Sequence, residues 1–356
     1  MAYTTIDDPS AYFNSLIYTG NVTVRALTFD GNSDLAVDWI WLKSRSISGN
    51  HHLYDSVRGT QKHLRSNLDS AEGTNGGTDG VTAFSSNGVT IGTNTASNDD
   101  GETFVGWGWK AGTSFTNDAS STSIGSIDSA GSVSDVSGFS IVSFTGTGSN
   151  GTIKHGLSTA PDLFIIKRRD SANDWRVGSS ALTNFVKHVN LNTTAVESDL
   201  AAAFNSTGPT TSVFSVGTSV STNASGGTYI AYCFSSIKGY SKVGSYTGNN
   251  SVTDGTFVYT GFKPAFVMVK LIDSQTDNWI MQDNKINSFN GASSQRLRPN
   301  SSGAEFTSTN EIDFLSNGFK CRGDDGEFNG DGFSYIYMAF AESPFVTSTE
   351  VPATAR

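Results

Sequence analysis

The chain has 356 residues and a formal net charge of −10, with 33 acidic residues against 23 basic ones. That balance excludes the basic footprint that nucleic acid or an anionic membrane surface demands. Glycine (38) and phenylalanine (23) are abundant and charged residues make up only 16%, so composition points to an all-β protein rather than a helical one.

Residues 1–13 read as an N-terminal arm. Met1–Ser10 carries neither a basic stretch nor an apolar one, so the expectation is a protein made and folded in the cytoplasm without the secretory route. No apolar run is long enough for a membrane-spanning helix. Residues 14–111 form a first unit with three landmarks in order. An aromatic residue precedes Thr-Gly (Tyr18-Thr19-Gly20), an apolar run ends in lysine (Trp39–Lys43), and an aromatic strand closes the unit (Phe104–Trp109). A Ser/Gly-rich connection, 112–137, follows and could form a small hairpin or stay flexible.

Residues 138–238 repeat the landmarks as Phe144-Thr145-Gly146, Leu163–Lys167 and Tyr229–Phe234. Residues 239–345 repeat them as Tyr246-Thr247-Gly248, Phe266–Lys270 and Tyr335–Phe340. The first aromatic lies 86, 85 and 89 residues before the closing strand, and 25, 23 and 24 residues before the lysine. Spacing this regular marks three copies of one unit of about 90–100 residues. Short strands separated by turn residues predict a β-sandwich, jelly-roll-like in character, for each copy. The tail, 346–356, reads as unstructured.

Candidate chemistry is sparse. Cys233 and Cys321 sit in predicted strands as small buried hydrophobes rather than as a disulfide, and no closely spaced ligand pairs suggest zinc. His51, His52, His63, His155 and His188 read as surface or loop residues. The acidic loop Gly323–Gly332 offers Asp324, Asp325, Glu327 and Asp331 to a hard cation. Its place before the closing strand equally explains Asn, Asp and Gly as turn residues. No carboxylate pair, nucleophile elbow or phosphate loop appears, so no catalytic residue, metal or cofactor is expected. Trp39, Trp41, Trp107, Trp109, Trp175 and Trp279 occupy positions that are apolar in other copies, which marks core rather than a sugar platform. Asp55 and Arg58 could pair to pin a turn, with a modest effect if exposed. The default partner-contact loops are the turns before the closing strands, with Asp99, Asp100, Glu102, Asn223, Ser225, Asp325 and Asp331.

Met1–Pro9 with Ala11-Tyr12-Phe13, His52–Gly59, Gly138–Val142, Tyr229–Phe234 and Tyr335–Phe345 resemble segments of virion structural proteins of marine tailed phages. Those proteins are tail-fibre-like and carry a repeated domain of unknown function. Such proteins often have Pro-Asp before the first buried strand. Pro161-Asp162 keeps the pair, whereas Val37-Asp38 departs from it. The resemblance implies a non-catalytic virion component, most simply a tail-fibre or adsorption-appendage protein that touches a host surface glycan or protein. A homo-oligomer, most simply a trimer, and contact with other virion proteins through the N-terminal arm are implied with it. Two alternatives remain: a capsid- or tail-decorating protein that meets only virion proteins, and a polysaccharide depolymerase.

Overall fold

The computed structural model describes residues 3–291, 293–309 and 311–354. Antiparallel strands dominate, and the only α-helices among the described residues are four short ones of a single turn each. The all-β class expected from composition is the observed one.

Each copy of the landmarks builds the same four-stranded set in the same order. An opening strand (Phe13–Thr19, Phe139–Thr145, Ser241–Thr247) pairs with the closing strand (Thr103–Trp109, Thr228–Phe234, Ser334–Pro344). The closing strand pairs on its other edge with the lysine strand (Trp39–Ser44, Leu163–Arg168, Phe262–Leu271). A fourth strand flanks that one (His52–Asp55, Arg176–Ser179, Trp279–Asp283). The registers match: Trp39 faces Trp109, Leu163 faces Phe234 and Phe266 faces Phe340. In the second copy the set lies within an eight-stranded sheet. The 112–137 connection supplies two of its strands, Thr113–Asn117 and Ser129–Ser134, so it forms the hairpin rather than a flexible link.

Alternation gives each of these inner sheets two apolar faces. The outward face packs on a small sheet of its own copy. Phe104 lies over that side in the first copy, as do Tyr229, Ala231 and Cys233 in the second and Tyr335, Tyr337 and Ala339 in the third. The inward faces meet one another. Trp39, Trp41, Trp107 and Trp109, then Ile165, Tyr232 and Phe234, then Phe266, Met268 and Phe340 belong to one continuous buried cluster. Every pair of copies touches there: Trp39 stacks on Tyr232 at 4.5 Å, Trp109 meets Phe340 at 5.7 Å, and Phe234 meets Phe340 at 5.9 Å. Three sandwiches thus share a fourth core at their common centre.

The contacts between copies run head to tail and close into a ring. Glu72 of the first copy donates its backbone N–H to the Arg169 carbonyl of the second at 2.8 Å. Glu197 of the second does the same to Ile272 of the third at 2.9 Å, and Glu305 of the third to Arg45 of the first at 2.8 Å. Two of these junctions add a bidentate ion pair, Arg169–Glu72 (2.9 and 3.1 Å) and Arg45–Glu305 (2.6 and 3.1 Å). At the third, Ile272 takes the arginine's place and Glu197 turns to Thr183. The landmark lysines explain themselves here. Lys167 Nζ donates to the Asp69 carbonyl of the first copy at 3.0 Å, and Lys270 Nζ to Thr194 of the second at 3.2 Å. Lys43 donates to the Ser44 carbonyl at 2.6 Å and feels Glu305 of the third copy. All three lysines are fully buried, and that burial pushes each ammonium down to about 8.

The described tail residues are more ordered than the sequence suggests, and the arm is ordered as well. Pro9–Ala11 forms a 3₁₀ turn capped by Asp8, and Phe13 packs between Trp109 and Phe340 at 5.0 Å from each. In the tail, Val346 bridges Pro352, and Asp7 accepts bonds from Ser348.

Candidate functional site

The turns before the closing strands follow one design in all three copies. Asn98, Asn223 and Asn329 are fully buried. Each side-chain oxygen accepts a backbone N–H of the turn after the opening strand: Asn21 at 3.1 Å, Thr147 at 2.8 Å and Asn249 at 3.1 Å. Each amide nitrogen donates to a second loop, at Gly92 (2.8 Å), Gly217 (2.7 Å) and Gly323 (2.7 Å). The glycine of the Thr-Gly landmark fits against these turns: a Cβ on Gly20, Gly146 or Gly248 would fall inside 3.0 Å of a backbone carbonyl oxygen there. The aromatic landmark stacks on the first residue of the closing aromatic run at 5.2, 5.1 and 4.9 Å. Asn223 therefore welds loops together and presents nothing to a partner. Asp99 and Glu102 are half-buried, and Glu102 accepts from Ser46 Oγ at 2.6 Å. Asp100, Ser225 and Asp331 are exposed.

The acidic loop of the third copy does not converge on an empty cation position. Asp324 and Asp331 point to solvent. Asp325 and Glu327 turn instead to Arg296, at 2.9 and 2.8 Å, and Glu327 also holds Arg298 at 2.7 Å. Glu311 lies 3.0 Å from Arg296 at ion-pair distance without hydrogen-bond alignment, and burial lifts its carboxyl to about 7. Burial likewise raises Glu327, against the pull of Arg296. Among the described residues no group of three His, Cys, Asp or Glu side chains has metal-holding geometry.

The histidine expectation is overturned. All five are buried, between 0% and 6% exposed. His51 stands where the other copies have Trp175 and Trp279. Trp41 Nε1 donates to its Nδ1 at 2.8 Å, which leaves the proton on Nε2 to reach the Arg298 carbonyl at 3.0 Å. Trp175 and Trp279 make the matching inter-copy bonds through Nε1, to Arg65 (3.0 Å) and Asn190 (2.9 Å). His52 and His63 pack together at 5.0 Å, and burial pushes them down to about 3 and about 4. The Asp55–Arg58 pair is also no exposed turn pin: both side chains are fully buried. Tyr232 of the second copy donates to Asp55 at 2.7 Å, and Arg58 reaches Glu72 at 3.2 Å. The cysteines are buried and free, and all six tryptophans lie in the core, as the repeat alignment predicts.

One cleft went unseen in the sequence because its parts are far apart in the chain. Tyr3 from the N-terminal segment, Ser236, Lys238 and Lys242 from the joint between second and third copies, and Tyr259 enclose about 580 Å³. The Tyr3 hydroxyl donates to the Gly261 carbonyl at 2.7 Å and meets the Tyr259 hydroxyl at 3.2 Å. Lys238 Nζ stands 4.5 Å from the Tyr3 ring centre and Lys242 Nζ 5.4 Å from that of Tyr259. Burial and the Tyr259 contact raise the Tyr3 phenol above its usual range.

No curated protein matches the chain. The profile of the domain of unknown function DUF7483 matches residues 8–344, from the capped turn at the arm to the last residue of the third closing strand. The chain belongs to the DUF7483 family.

Proposed function

We propose that the chain is a rigid, non-catalytic structural protein of a virion, a tail-fibre or adsorption-appendage component that meets a host surface. The observation that supports this most is the closed ring of three sandwiches around one buried aromatic core. Such a body suits mechanical display. Its interior charges serve construction: Asp55, Glu72, Glu305 and Glu327 are each held by arginine. A general acid or a nucleophile would need such groups free to exchange protons with substrate. The segment likeness to phage virion proteins supplies the setting.

Threefold closure here is made by one polypeptide, so it does not in itself call for three copies of the chain. The three turns before the closing strands also fall at one end of the ring. Arg45, Arg169 and Ile272 each donate their backbone N–H to the residue that opens or precedes the closing run, at Thr103, Thr228 and Ser334. That end offers Asp100, Ser225 and Asp331 to a partner.

The test is to purify phage particles that encode this chain and locate it by immunogold electron microscopy, with copies counted by quantitative mass spectrometry. Label on the tail, together with binding of the purified protein to host cells, is expected. Absence from particles, label confined to the capsid, or cleavage of host polysaccharide by the purified protein would contradict the reading.

A further inference from the structure

We propose that the cleft between Tyr3, Lys238, Lys242 and Tyr259 binds a carboxylated saccharide, of the uronic-acid type. For its biological meaning the inference rests on the host-contact reading, whereas its chemistry stands on the cleft alone. The chain is acidic overall, at −10, yet no carboxylate lines this cleft. Three other clefts each carry at least one: Asp128 in the first, Asp8 and Asp30 in the second, Asp38 in the third. Two lysines without a lining acid make the local field positive on a chain whose net charge is negative, which draws anions in.

The lining also has the shape chemistry of sugar recognition. Tyr259 is 48% exposed, so one ring is open to a ligand's C–H face. Phe257 sits two residues earlier on the edge strand Phe257–Tyr259 and is 45% exposed. Alternation puts both rings on one face about 6–7 Å apart, close to the advance of one sugar ring along a chain. The same strand face thus offers a second exposed ring beside Tyr259, outside the cleft lining. Lys238 Nζ rests on the Tyr3 ring face and is exposed, so a carboxylate can approach it without breaking a hydrogen bond. Lys242 Nζ is anchored to the Tyr259 carbonyl at 2.7 Å, which fixes a second cation beside the open ring. The Tyr3–Tyr259 hydroxyl contact joins the arm to the third copy, so the cleft is formed before a ligand arrives.

The experiment is saturation-transfer NMR and calorimetric titration of the full chain with α-linked trigalacturonic acid, beside maltotriose as the neutral probe and inorganic phosphate as the small anion. The acidic trisaccharide is expected to bind with a Kd on the order of 1 mM or tighter. It should bind at least about tenfold better than maltotriose and weaken as salt rises. Lys238→Gln and Tyr259→Ser should each weaken it about fivefold or more, Lys238→Gln with the thermal midpoint unchanged because its ammonium is exposed. No transfer at about 10 mM, equal binding of the neutral sugar, full displacement by equimolar phosphate, or indifference to both substitutions would overturn the inference. Host-cell binding by the purified protein is scored separately. Cells bound without sugar binding would discard the cleft alone, and sugar bound without cell binding would discard the host-contact reading alone.

Discussion

Asn98, Asn223 and Asn329 carry the same bonds at three places in the chain, and nothing in a one-residue reading separates them from ordinary turn residues. All three stand in the turns before the closing strands, where Asn is common for its tolerance of turn backbone. Its role is read only from the loops it joins, one of which lies 77 residues from Asn98 and 76 from Asn223 in sequence. Asn223→Ala removes bonds to Thr147, Ser149 and Gly217 and leaves the buried Gly217 carbonyl without its Asn223 donor. A loss of about 1–3 kcal/mol in urea unfolding is expected, whereas Ser225→Ala, at an exposed neighbour, should change nothing measurable.

The histidines fix the acid response. Burial lowers His51, His52, His63, His155 and His188 below the ordinary 6.5. Their unfolded forms therefore take up protons that the folded forms refuse as pH falls below 6.5. The histidine contribution is full above that value and declines on acidification, with His52 alone losing about 1.4 kcal/mol per pH unit until its folded value near 3. Glu311 acts in the opposite sense, since its carboxyl is raised to about 7 and its contribution grows as pH falls from there. Asp283, Asp313 and Glu327 are raised in the same sense as Glu311, and Glu72 is lowered in the sense of the histidines. The histidines, whose unfolded forms titrate from 6.5, set the sign: urea midpoints measured at pH 7, 6 and 5 should fall in that order, and His52→Leu should flatten the slope. A midpoint that rises toward pH 5 would contradict this.

Among elements, the landmarks were legible because they recur at nearly fixed spacing, and their chemistry was not. Sequence shows the lysine only as the end of each apolar run. It is a buried cation that reaches the neighbouring copy's carbonyls in the second and third copies. The strand is apolar on both faces and paired on both edges, as a central strand is. What lies against the second face depends on contacts across copies, which periodicity does not encode. The Asp55–Arg58 pair shows the same limit: i,i+3 spacing predicts the pairing, and only the packing of Tyr232 from another copy makes it buried. Asp55→Ala should cost about 3–5 kcal/mol, because Arg58 would lose its closest buried partner. A double-mutant cycle with Tyr232→Phe should show coupling of about 0.5–3 kcal/mol across the two copies. Arg169→Ala, at a junction whose ion pair is partly exposed, should cost about 1 kcal/mol.

For the whole molecule, an apolar centre shared by three copies means that none of them can leave the others without exposing it. Trp39 alone touches Trp41, Trp109, Phe139, Tyr232 and Phe234 and has no exposed surface. Its truncation to alanine should cost about 3–5 kcal/mol and weaken the second copy as much as the first. The most direct test of this shared centre is equilibrium urea unfolding followed by pulsed hydrogen exchange and mass spectrometry on Trp39–Ser44, Leu163–Arg168 and Phe262–Leu271. Loss of protection at one common urea concentration in all three strands is predicted. Three separate midpoints, with one strand still protected after another has opened, would contradict it.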